Sequence, residues 1–109
     1  MGQYHKVYNL DKKEYIHAHG INNGLKLMEQ IGWRRSTSTA LFLMLANSNG
    51  RGGGDARPHE MIGRWAGDRV LVQGDYAAPG DPAYVDEEEL DKFTDISKQV
   101  YSLLQTVDL

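Results

Sequence analysis

Polar and apolar positions alternate near the start of the chain, and the period changes further on. Residues 7–10 and 15–18 are short runs rich in aromatic and β-branched side chains, parted by the polar Asp11-Lys12-Lys13-Glu14. This predicts a β-hairpin. Alternation puts Tyr4, Lys6, Tyr8 and Leu10 on one face and His5, Val7 and Asn9 on the other. Neither face is cleanly apolar, so the pattern specifies the register weakly. A turn over residues 19–24 leads to a short helix capped by Asn23, with Leu25, Met28 and Ile31 on one stripe and Gly32 as its stop.

Residues 40–46 are apolar all round and hold no β-branched side chain, which favours a buried central helix over a strand. The Ser and Thr run at 36–39 would cap it. A loop over residues 47–60 follows. Residues 62–66 and 69–73 read as two strands joined at Gly67-Asp68, a dipeptide suited to tight turns. Asp86 then opens a helix as cap, with Glu89 as its capping-box partner. Leu90, Phe93, Ile96, Val100, Leu103 and Val107 recur at steps of three or four, and Thr94 offers a cap for a fresh helix should the run break near Phe93. The expected order is β-β-α-α-β-β-α: an α+β fold of two β-hairpins packed with about three helices, in one domain over 1–109.

Composition narrows the class. No run of apolar side chains approaches the roughly 18 that span a membrane, and residues 1–6 lack the apolar stretch of a secretory signal. The 109 residues include no cysteine, which excludes disulfides and thiol chemistry and fits a reducing, cytoplasmic setting. The net charge of -3 is unevenly spread. All six arginines lie between 34 and 69, every lysine lies outside that stretch, and nine acids follow Val70. Arginine's fork binds carboxylate or phosphate at two points, so its segregation points to recognition or paired burial. The acidic final third and the negative total argue against a nucleic-acid partner.

The least ordinary segment is the loop holding Asn49, Arg51, Gly52, Gly53, Gly54, Asp55 and Arg57. Consecutive glycines let backbone amides approach a ligand and form an anion-binding nest, with Arg51 and Arg57 as flanking donors. It is neither a Walker loop nor a dinucleotide fingerprint. A plain flexible connector explains it equally well. Arg69 adds charge, while Trp65 and Tyr76 offer flat faces for stacking, although a tryptophan in a small domain is more often core. His17 and His19 share a strand face at metal-site spacing, but two imidazoles without an acidic neighbour make no site. Asp55, Asp68 and Asp75 are the available carboxylates for acid–base work. No nucleophile motif accompanies them, and Asp68 and Asp75 are explained as turn residues.

The segments Gly2-Gln3-Tyr4-His5-Lys6-Val7, Asn9-Leu10-Asp11-Lys12-Lys13-Glu14-Tyr15, Gly24-Leu25-Lys26-Leu27-Met28-Glu29, Asn49-Gly50-Arg51-Gly52-Gly53-Gly54-Asp55 and Trp65-Ala66-Gly67-Asp68-Arg69-Val70 together resemble a family of small, uncharacterised bacterial and phage proteins. The resemblance spans most of residues 2–76 and implies a compact, stand-alone microbial protein. It brings no activity, cofactor or catalytic residue.

The expectation is therefore a non-enzymatic protein, without cofactor or metal, that binds an anionic small molecule through residues 49–57. A nucleotide is the leading example, and sequestration of a signalling nucleotide is the expected role were the chain phage-borne. The alternatives are a protein-interaction or inhibitor module using the acidic C-terminal helix, and a small hydrolase or transferase.

Overall fold

The computed structural model describes residues 3–21, 27–32, 35–47 and 59–106. The first alternation folds as the expected hairpin. Strand β1 (His5–Asn9) pairs antiparallel with β2 (Glu14–His17), with Val7 opposite Ile16 and Tyr8 opposite Tyr15. Asn9 builds the turn: its Oδ1 accepts the N–H groups of Asp11 at 2.9 Å and Lys12 at 2.7 Å. Lys13 then closes the loop at φ 56°, in the left-handed region.

Helix α1 (Ala18–Ile21) follows β2 without a break, and α2 (Leu27–Gly32) and α3 (Thr37–Leu45) come next. The apolar run is thus helical, but it is not buried all round. Thr37, Ala40 and Met44 are buried, Leu41 and Leu43 pack partly against the core, and Phe42 is 82% exposed, because no described second layer covers the outer side of α3. Ser36 stands at the N-cap position, yet its hydroxyl meets Ser38 Oγ at 3.0 Å and makes no cap bond.

The second hairpin does not form. Residues 62–66 make successive tight turns, with the N–H groups of Ile62, Arg64 and Ala66 each bonded to the carbonyl three residues back. The Gly63 and Trp65 N–H groups reach the Leu43 and Met44 carbonyls at 3.0 and 2.9 Å, satisfying acceptors that the end of α3 leaves open. Met61 and Trp65, four apart, drop into the core from this hook. Gly67, at φ +82°, turns the chain into β3 (Val70–Gly74), which pairs antiparallel with β1. Side chains beside the first turn hold that pairing. Asp68 accepts from Asn9 Nδ2 at 2.9 Å and from Lys12 Nζ, and Asp11 accepts from the Arg69 N–H at 2.7 Å and Nε at 2.9 Å.

The final periodic run also breaks, near Phe93. Helix α4 (Glu87–Leu90) gives way to β4 (Thr94–Asp95) and then α5 (Ser97–Gln105). The Thr94 and Ile96 N–H groups bond the Lys13 and Tyr15 carbonyls at 2.8 and 3.0 Å, so the edge of β2 captures what would have been mid-helix. Asp86 precedes α4 without a side-chain cap bond, and Glu89 pairs with Lys92 at 3.3 Å in place of a capping box.

The result is an α+β globule around one four-stranded mixed sheet, ordered β3-β1-β2-β4, with β4 parallel to β2. Val7 and Ile16 on its inner face meet Ile21, Met44, Trp65 and the buried stripe of α5. On the outer face Tyr8, Leu90 and Phe93 form a smaller cluster with Leu10, Tyr15 and Val85 packed against it. Among the described residues no helix is long and apolar enough to cross a membrane.

Candidate functional site

The outer cluster covers only one end of the sheet's outer face. At the other end lies a cleft of about 490 Å³, bordered by Tyr4, Lys6, His17, His19, Asp75 and Glu87. Strand alternation explains its composition: Tyr4, Lys6 and Tyr8 project from one face of β1, and the partners of Lys6 are His17 on β2 and Gln73 on β3. Leu90 and Glu87 of α4 close one wall.

A chain of rings starts on the floor of the cleft and runs on into the outer cluster. Tyr4 meets His19 edge-on at 6.0 Å, His19 meets His17 at 6.3 Å, and His17 meets Tyr15 at 6.0 Å. Tyr15 meets Tyr8 at 5.7 Å, and Tyr8 meets Phe93 edge-on at 5.8 Å. Lys6 Nζ sits 5.5 Å above the Tyr15 ring. Burial, with neighbouring Tyr15, Asp91 and Glu87, pushes the Tyr8 hydroxyl up to about 12, so it is a neutral donor at any ordinary pH. Tyr15 is raised too, by burial and by the charges of Asp95 and Asp91.

His17 is fixed at both nitrogens. Its Nδ1 accepts the Gly20 N–H at 3.2 Å, which leaves the proton on Nε2 to donate to Asp95 Oδ2 at 2.9 Å. Burial alone would raise the Asp95 carboxyl. Hydrogen bonds from the Ser97 hydroxyl and N–H, together with His17, outweigh that and hold it low. Ser97 Oγ also accepts the His17 N–H at 2.9 Å. Serine, histidine and aspartate therefore meet with the aspartate in the middle. The serine is 2% exposed and donates to the carboxylate instead of an imidazole, which is the wrong order for nucleophilic catalysis. Among the described residues no three histidine or acidic side chains gather as a metal-binding set.

Of the residues expected to bind ligand, the three that are described, Trp65, Arg69 and Tyr76, are not brought together. Asn49, Arg51, Gly52, Gly53, Gly54, Asp55 and Arg57 lie outside the described residues. Trp65 is no stacking surface: it is 0% exposed, and its indole N–H donates to Glu14 Oε1 at 2.9 Å. Arg64 joins through Nε to Oε1 at 3.1 Å and through Nη2 to Oε2, making a structural knot that is buried on the Glu14 and Trp65 side. Arg69 pairs with Asp11, and exposed Tyr76 lies beyond the opposite end of β3. Asp68 is spent on Asn9 and Lys12, and Asp75 Oδ1 accepts the Tyr4 N–H at 3.0 Å. Tyr4, Lys6, Tyr8, Gln73 and Glu87 are the lining residues that sequence reasoning missed. The same-face spacing of Tyr4, Lys6 and Tyr8 was the available signal, but nothing in it tells which face stays open. No family model, curated protein or solved structure matches the chain.

Proposed function

We propose that this protein is a non-enzymatic small-molecule binder whose ligand lies in the outer-face cleft. The observation that carries the reading is the run of rings from Tyr4 through His19 to His17 beside that cleft. Ring faces and edges gathered beside a partly enclosed hollow suit a flat, heteroaromatic ligand. Lys6 supplies one fixed positive charge against Asp75 and Glu87. That balance suits a planar ligand with one acidic group and several N–H or O–H donors, and it disfavours a polyphosphate. A nucleoside monophosphate meets this description, which keeps the nucleotide class and moves its ring away from Trp65. The carboxylates would accept from ring N–H groups.

Calorimetric titration with nucleoside mono- and triphosphates and with free bases tests the reading. A monophosphate is expected to bind more tightly than its triphosphate, with affinity falling about tenfold or more in Tyr4→Ala or Lys6→Gln. Binding unchanged in both variants but lost in Arg51→Ala/Arg57→Ala would move the site to residues 49–57. No binding by any of these compounds would refute the ligand class.

A further inference from the structure

We infer that the outer side of α3 is an interface at which a second copy of this chain packs its own α3, antiparallel, about a two-fold axis. Helices α2 and α3 turn polar side chains inward and apolar ones outward. Gln30 and Thr37 are buried and bonded to each other at 3.0 Å, whereas Met28 is 72%, Ile31 56% and Phe42 82% exposed. A helix that is apolar all round is stable when it is covered all round, and the described residues cover α3 on its inner side alone.

Ser38, Leu41, Phe42 and Leu45, at spacings of three and four, form a stripe along a hollow of about 420 Å³ that ends at Ala46. The Ser38 hydroxyl donates to the Ile31 carbonyl at 2.8 Å, which sets Ile31 of α2 beside the start of the stripe. The one polar member of the stripe therefore has its partner already and can be buried without losing it.

The stripe is complementary to itself. Four positions at i, i+3, i+4 and i+7 make the hole into which a facing helix sets a knob, and Phe42 is a knob at the rim of its own hole. An antiparallel pairing with the axis between Leu41 and Phe42 sets Leu41 of each copy against Phe42 of the other. It also sets the small Ser38 against Leu45, so each member of the stripe meets another, as an isologous contact requires. Charge selects the same occupant. Thr37–Leu45 holds no charged residue, so two copies meet there without like-charge repulsion although each has a net charge of -3. An anionic bilayer would repel that total. At about 180 Å² for a fully exposed large side chain, Leu27, Met28, Ile31, Phe42 and Leu45 expose about 500 Å² in each copy. Two copies would bury about 1,000 Å², the lower bound for a specific interface, which corresponds to a weak dimer that forms only at high concentration.

Sedimentation analysis of the full chain over a wide dilution series tests this, with a mass approaching twice 12.3 kDa expected at the concentrated end and little dependence on salt. Phe42→Asp is expected to weaken association at least tenfold. Should that variant lose its circular dichroism spectrum, Leu45→Lys replaces it. The chain has no cysteine, so Phe42→Cys introduces a single thiol beside the proposed axis, and mild oxidation should link two copies in concentrated but not in dilute solution. A single-chain mass throughout overturns the proposal, including the case in which anionic vesicles capture the chain through Phe42. So does a dimer that neither Phe42→Asp nor Leu45→Lys weakens.

Discussion

Replacing Glu14 by glutamine tests the knot that ties the first hairpin to the hook at residues 59–67. The Glu14 carboxylate is 7% exposed and accepts three bonds, one from the Trp65 indole and two from Arg64. Burial raises its pKa, but the Arg64 and Trp65 hydrogen bonds prevail and hold it below 4.5. Glutamine keeps the oxygen that serves Trp65 and sets an NH2 group against the Arg64 donor. Hydrogen bonds to charged groups contribute about 1.5–3 kcal/mol. The Arg64 side chain is 41% exposed and regains water when the bond is lost. The expected loss is therefore about 2 kcal/mol at neutral pH, or about 10 °C in Tm for a domain of this size. Urea unfolding, followed by tryptophan fluorescence and circular dichroism, measures it. The sign with pH is fixed by a lowered native pKa: the Glu14 contribution is present above 4.5 and is lost as pH falls through the lower folded value. Wild type and variant should thus converge in stability in strong acid. A loss below about 0.5 kcal/mol at neutral pH, or a gap that persists undiminished in acid, would refute the argument.

Tyr8 gives the opposite pH signature. Its pKa is raised from 10.0 to about 12, so stability it confers below pH 10 falls as the pH climbs towards 12, and absorbance titration should show one tyrosine ionising late. Met44→Ala should cost about 2–5 kcal/mol because the side chain is fully buried, whereas Phe42→Ser, two residues earlier but 82% exposed, should change stability by less than about 0.5 kcal/mol; chemical denaturation compares them. Gly63→Ala should lower Tm, at a cost of about 1–2 kcal/mol, since Gly63 sits at φ +80° and a Cβ there would lie 3.0 Å from the Ala46 carbonyl oxygen. Gly32→Ala meets nothing within 4 Å at the end of α2 and should leave Tm unchanged or slightly raised.

Local patterns were enough for the elements whose stabilising contacts are local. The β1–β2 hairpin followed from two β-rich runs around a polar turn, and Asn9 and Lys13 supply the turn geometry themselves. The apolar run at α3 was legible as a helix because it lacks β-branched residues. Long-range partners decided the rest. Residues 62–66 read as a strand leading into the Gly67-Asp68 turn, but the open carbonyls of α3 and the acceptor on Glu14 draw Gly63 and Trp65 into a hook. The strongest helical period in the chain was cut at Phe93, because the carbonyls of Lys13 and Tyr15, some 80 residues earlier, offered N–H groups a sheet edge. The cleft belongs to this second kind: Tyr4, Lys6 and His17 share a face by alternation, but whether that face is covered depends on where α4 comes to rest. Sequence periodicity specifies which side chains point the same way. Only the packed chain decides which of those faces is buried and which is left open to a ligand.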